Sequence, residues 1–250
     1  MLQLGEGQEC ATQLSANDVY DVFQLPRNEG NDVIETPRHR PAGDPNRIIV
    51  DRWRSRFEVP DKQQSAFLHQ LANAIKATNE ANDDFKRDFV AYALGVLLAQ
   101  TPNKMIDVKV LKAVEDIDNI NTLDWCKYLL EHLGKCVYRW KKNITDESVG
   151  GCVLFLQIVY LHRSKFQGVT PLYSLPLIRH WNDDIVKQRL NNEKLAGFGT
   201  SLLDLESFPI CRRIFHGKET AAAFDLVQRT CTTGFDFSEV ITKVSNFSFF

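Results

Sequence analysis

The stretch "NTLDWCKYLLEHLGKCVYRWKK", residues 121–142, decides the fold class. Cys126, Leu129, Leu130, Leu133, Val137 and Trp140 fall at i, i+3, i+4, i+7, i+11 and i+14, the spacing of one helical face. Asp124, Glu131 and Lys135 lie on the other side, and the last two are placed as an i, i+4 ion pair. The spacing predicts an amphipathic helix of about five turns.

Next comes "SVGGCVLFLQIVYLHR", residues 148–163. Three readings compete for it: a thiol active site, a membrane segment, and the central helix of a folded core. Its apolar run, residues 152–161, is far short of the ~20 residues a bilayer helix needs. On one helix Cys152 and His162 would stand roughly 15 Å apart, too far for a thiol and its base. Periodicity alone leaves a strand open, but the neighbouring elements are helical. The stretch therefore reads as a helix enclosed by others, with Gly150 and Gly151 opening the turn into it and Cys152 in the core. Burial of Leu154, Phe155, Leu156, Ile158 and Val159 would stabilise the fold by about 1.5–3 kcal/mol each.

"SANDVYDVFQLP" predicts a short helix capped by Ser15 or Asn17, stopped by Pro26, and burying Val19, Val22 and Phe23. Asp61 is the expected cap of a helix over about 62–77. Phe85, Phe89, Ala93, Val96 and Leu97 share the face of another helix that ends by Pro102, and "DVKVLKAVEDID" supplies a shorter one. "PLYSLPLIRHW" reads as a proline-marked crossing, "NDDIVKQRLNNEKL" as a surface helix begun by Asn182, and "GFGTSLLD" as a turn. Residues 27–60 carry prolines and turn formers with little periodicity, so they read as loop. The expected fold is all-α (mostly α): a single multi-helix globular domain over 1–200 with a long N-terminal loop. Residues 201–250 form a weakly ordered C-terminal tail.

Composition agrees. In 250 residues the hydrophobic fraction is 44% and the charged fraction 25%, as in ordinary globular chains. The formal charge is only −2, so attraction to nucleic acid requires local clustering of basic residues. Six dispersed cysteines predict reduced thiols, and no secretory signal is visible in the first residues.

Phosphate-loop, dinucleotide, nucleophile-elbow and zinc-protease motifs do not occur. His132 and Cys136 have the i, i+4 spacing of two zinc ligands but lack a second pair, so no metal is expected. The acidic run from Glu115 to Asp118 reads as solvated carboxylates rather than a magnesium site. The candidate binding segment is "PRHRPAGDPNRIIVDRWRSRF", with Arg38, Arg40, Arg47, Arg52, Arg54 and Arg56 interleaved with Trp53 and Phe57. Arginines and aromatics in a loop can grip phosphates and stack on bases, although such arginines often just pair with surface carboxylates.

Five phrases in order, "LSANDVYDVFQLPRNEGNDV", "FKRDFVAYALGVLLAQT", "DWCKYLLEHLGKCVYRWK", "VGGCVLFLQIVYLHR" and "PLIRHWNDDIVKQR", resemble the plant mobile domain over about residues 1–195. That family, also called aminotransferase-like, occurs in plant transposable elements and beside Ulp1-type proteases. The resemblance implies an all-helical nuclear module of transposon-derived origin, non-enzymatic, without cofactor, linked to silencing and genome stability. It implies a nuclear protein partner, with the arginine segment as the candidate nucleic-acid contact. No lysine sits in a pyridoxal-phosphate context. Family members tend to read "GLP" where this chain has Gln24-Leu25-Pro26, and they extend further upstream, so the chain is expected to begin inside the domain. The competing readings are a hydrolase or nuclease remnant of a mobile element, using Cys152 or the 115–118 carboxylates, and an element fragment without present function.

Overall fold

The computed structural model describes residues 3–4, 12–37, 39–61, 63, 65–101, 104–142, 150–165, 174–196 and 202–203. Its helices are α1 (Ala16–Phe23), α2 (Pro45–Arg56), α3 (Leu68–Ala77), α4 (Asp83–Ala93), α5 (Leu111–Glu115), α6 (Trp125–Lys142), α7 (Val153–Arg163) and α8 (Asp183–Ala196). Strands among the described residues are two antiparallel pairs of two-residue segments: β1 (Gln3–Leu4) with β2 (Thr12–Gln13), and β3 (Ser164–Lys165) with β4 (Leu202–Leu203). The architecture is mostly α, as the spacing of apolar residues predicts. No helix among the described residues is long and apolar enough to cross a membrane. The expected turn after α8 and the C-terminal tail lie almost wholly outside the described residues.

The chain divides into two compact units, Pro26–Cys152 and a second made of Met1–Leu25 with Val153–Phe250. In the first, α6 starts where the Asp124 carboxylate accepts from the Lys127 N–H at 2.9 Å, an N-cap that satisfies one orphan donor of the first turn. The strap before α2 fixes this end. The Asp124 N–H donates to the Asn31 carbonyl (2.8 Å), the Trp125 N–H donates to that of Pro26 (3.1 Å), and the side-chain amides of Asn28 and Asn31 donate to the Thr122 carbonyl (2.8 and 2.7 Å). Further along, the Thr36 N–H donates to the Lys109 carbonyl (2.7 Å).

So anchored, α6 turns a different face inward from the one its leucines suggest. Leu129, Leu133 and Cys126 are buried as expected, but Leu130, Val137 and Trp140 are only partly covered, and Tyr128, His132 and Cys136 take their places. Lys135 meets Glu35 at 3.4 Å rather than pairing with Glu131.

Residues 27–60 are not all loop, because α2 occupies Pro45–Arg56. The Asp44 carboxylate accepts from the Asn46 N–H at 2.7 Å, and Pro45 fills the first helical position, where its missing N–H costs nothing. Only Val50 and Trp53, three residues apart, are buried on α2, which is too thin an apolar stripe to register as periodicity. Nor does α3 begin at residue 62. Its first turn is closed at Phe67, whose N–H donates to the Gln70 side chain at 2.8 Å, while the chain before it turns beneath Arg54. α4 passes into a π-helical turn, Leu94–Leu98, and a Cβ on Gly95 would lie 2.5 Å from Leu68 Cδ2, so this glycine admits the α3 side chain. "DVKVLKAVEDID" forms a 3-10 turn (Val108–Val110) leading into the single helical turn of α5. Gly150 and Gly151 have φ of +66° and +73°, and a Cβ on Gly151 would stand 3.2 Å from Leu133 Cα. The double glycine is therefore needed for both its backbone shape and its close approach to α6.

In the second unit, α1 buries Val19, Val22 and Phe23, and Ser15 donates its N–H to the Asp18 carboxylate at 2.6 Å. The ring of Phe23 lies 6.5 Å from that of Phe155 on α7. α7 is less enclosed than its composition suggests: Phe155, Ile158, Val159 and His162 form a buried i, i+3, i+4, i+7 stripe, whereas Leu154 and Leu156 are partly exposed. His162 packs edge-on to Trp181 at 6.4 Å. α8 begins as expected, with Asn182 Oδ1 accepting from the Ile185 N–H at 2.9 Å.

Candidate functional site

The arginine segment comes apart residue by residue. Arg38 lies outside the described residues, and Arg40 donates to the Pro37 carbonyl at 2.6 Å. Arg54 donates to the carbonyls of Gln63 (2.6 Å) and Pro60 (3.0 Å), pinning the turn before α3. Arg56 grips both oxygens of Asp88 at 2.9 and 2.5 Å and lies 5.1 Å from the Phe57 ring centroid. Asp88 is 1% exposed, and burial raises its carboxyl above the usual range even though Arg56 opposes the shift. Arg54 and Arg56 thus belong to the scaffold.

Arg47 and Arg52 remain on the outside of α2. Arg47 faces Asp51 across one helical turn at 3.3 Å, and Arg52 pairs with Glu115. Between them Ile48 is 62% exposed. The Arg47–Asp51 pair is exposed on both sides and contributes about 0–1 kcal/mol, so Arg47 can exchange partners. Glu115 is half-buried, with its Oε2 buried and unpartnered among the described residues, so Arg52 is held more firmly although its own side chain is exposed. The acidic run does not converge either. Glu115 serves Arg52, Asp116 accepts from the Asn119 amide at 2.8 Å, and Asp118 is exposed.

The structure also assembles a stripe whose polar character the leucine pattern conceals, namely Tyr128, His132 and Cys136 at successive i, i+4 positions on α6. The Tyr128 and His132 rings are 6.0 Å apart, and Tyr128 Oη and His132 Nε2 are buried without a hydrogen-bond partner among the described residues. Burial pushes the Tyr128 phenol well up, with Asp107 and Glu35 adding to the shift. It lowers the His132 imidazole, a shift Asp107 opposes, and raises the Cys136 thiol against Arg139, whose Nη2 lies 3.3 Å from Sγ. At neutral pH the stripe is therefore uncharged: phenol, neutral imidazole and thiol. Spacing brings His132 and Cys136 to one face, but among the described residues no group of three or more His, Cys, Asp or Glu side chains is arranged to hold a metal ion.

Cys126, Cys136 and Cys152 are all buried thiols, and Cys152 is 0% exposed, which places it in the core and away from reagents in solvent. The exposed end of α6 was also missed. "KCVYRWKK" carries four cations around two aromatics within eight residues, a composition visible in the sequence itself.

No curated protein and no solved structure matches the chain. A family described as "Domain of unknown function (DUF8566)" matches residues 1–157, a span that includes α1, the arginine segment, all of α6 and the start of α7. The chain belongs to that family.

Proposed function

We propose that the chain is a non-enzymatic interaction module of the nucleus, transposon-derived and related to the plant mobile domain, which presents the outer face of α2 to a protein partner. The observation that carries the contact surface is Ile48, held 62% exposed between Arg47 and Arg52 on a helix whose other arginines are committed to acceptors within the fold. An exposed aliphatic side chain between two exposed guanidinium groups suits a partner with an apolar anchor and an acidic rim. Nucleic acid is a poorer fit to this face. Two phosphate contacts would give a log–log salt slope of only about −1.8 on duplex DNA, well short of a strong binder. The nuclear and transposon-derived clauses are supported by the five ordered phrases that resemble the plant mobile domain.

The test is affinity capture from nuclease-treated nuclear extract, comparing the natural chain with Ile48→Asp and with Arg47→Glu/Arg52→Glu. The expected result is a defined set of proteins that survives nuclease and is lost with either variant, while both variants keep the circular dichroism of the natural chain and Ile48→Asp, whose side chain is exposed, changes the unfolding free energy by less than about 0.5 kcal/mol. Capture that nuclease abolishes, or that both variants retain, removes the proposal. A fluorescent fusion excluded from the nucleus removes the nuclear clause.

A further inference from the structure

From the exposed end of α6 we infer a second binding surface, independent of α2, for single-stranded nucleic acid. Lys135, Tyr138, Arg139 and Lys142 stand at i, i+3, i+4 and i+7 and are all exposed, forming one stripe of about two turns, with Lys141 beside it. Tyr138 is 61% exposed, and the Lys142 ammonium lies 4.6 Å from its ring centroid.

Such a stripe would ordinarily be a solvated helix face, and the last-turn cations would be explained by the negative end of the helix dipole. That explanation covers Lys141 and Lys142. It does not cover Lys135, two turns from the end, or the like charges at Lys135/Arg139 and Arg139/Lys142, which repel across one turn. Nor does it explain a large ring left in water at the centre of the stripe. Elsewhere in the same unit Lys86 pairs with Asp83 (3.2 Å) and the half-buried Arg87 with Asp84 (3.1 Å), while exposed Lys76 and Lys112 also lack a carboxylate partner among the described residues but, unlike Lys142, do not lie over an aromatic ring. On the α6 stripe only Lys135 has a carboxylate partner among the described residues, Glu35 at 3.4 Å.

The chemistry that satisfies all of this is a chain of phosphates carrying bases. Lys141, Lys142 and Arg139 would neutralise phosphates while a base stacks on Tyr138, as on aromatic platforms that bind single strands without sequence preference. The ammonium over the ring is displaced to a phosphate, because an exposed cation–π contact is weaker than a base stack. A duplex offers no unstacked base to the tyrosine, so single strands are favoured.

The experiment is fluorescence anisotropy of the full chain with labelled oligothymidylate, its duplex with oligoadenylate, and phosphatidylserine vesicles, titrated between about 50 and 200 mM salt. Single-stranded binding is expected, with a log–log salt slope of about −2, and Lys141→Ala/Lys142→Ala should reduce its magnitude by about 1.4. Tyr138→Ala should weaken binding about tenfold without changing the slope, and Tyr138→Phe should restore it. Arg47→Ala/Arg52→Ala should leave both quantities unchanged, which separates this surface from α2. The inference is overturned by any of four results: no salt-dependent oligonucleotide binding, a silent Tyr138→Ala, a slope that falls with the α2 variant instead, or binding to vesicles but not to oligothymidylate. Because all the altered residues are exposed, unchanged far-ultraviolet circular dichroism is expected for every variant.

Discussion

The cations of α2 and those at the end of α6 are comparably dense in the sequence and face different things. On α2, Arg54 holds the carbonyls of a turn and Arg56 holds a carboxylate that is 1% exposed. At the end of α6, Lys141 and Lys142 meet no carboxylate among the described residues, and Tyr138 lies open between them and Lys135. Charge density in a sequence thus says little about availability. What matters is whether the fold has already buried an acceptor within reach, as it has with Asp88.

The sharpest way to break this contrast is Arg56→Ala. It leaves the Asp88 carboxylate buried without its bidentate partner, and a loss of about 2–3 kcal/mol is expected in denaturant unfolding. The pH dependence follows from the direction of the Asp88 shift. Its folded pKa is raised above the ordinary 3.8, so the fold favours the protonated form and the ionised form costs stability as pH rises through the folded value. Removing Arg56 raises that value further. The deficit of the variant should therefore be largest at neutral pH and shrink as the pH falls toward 4. A deficit independent of pH would assign Arg56 a packing role instead.

Gly151→Ala probes the inner side of α6. A methyl group there would need positive φ and would press on Leu133 Cα, so a loss of about 2 kcal/mol is expected in thermal unfolding. A loss is also expected on acidification, acting through His132. Its folded pKa lies below 6.5, so the neutral ring is the stable form above that pH, and stability declines as pH falls from 6.5 through the folded value. In His132→Asn the slope of stability against pH over this window should flatten relative to the natural chain. Smallest are the outer cations: Arg47→Ala and Lys142→Ala should each change stability by less than about 0.5 kcal/mol.

Much of the scaffold was legible in the sequence. The caps of α1 and α8 and the helical spacing of α6 are strong enough to place these elements, although for α6 that spacing gives the helix and not the face it buries. α2 was hidden: with only Val50 and Trp53 buried, its helix signal lay in Asp44-Pro45, a cap followed by a first-position proline, and not in periodicity. α3 begins late because Arg54 ties the carbonyls of Pro60 and Gln63 into a turn, a long-range hydrogen-bond pattern that no window of sequence displays. The proposed contact residues were the least legible. The arginines of α2 and the lysines of α6 look alike until Asp88 and Glu115 are placed beside the former, and the polar stripe of α6 emerges only once the strap from Pro26 to Thr36 sets that helix's rotation.

The division of the chain carries a consequence for its birth on the ribosome. The Pro26–Cys152 unit is continuous, so its helices can find one another as soon as they emerge, whereas α1 and α7 share a unit although all of Pro26–Cys152 separates them in sequence. Closing so long a span costs entropy that grows only logarithmically with its length. The delay falls on time rather than on equilibrium, and α1 must wait, its valines uncovered, until residues beyond Val153 have been synthesised.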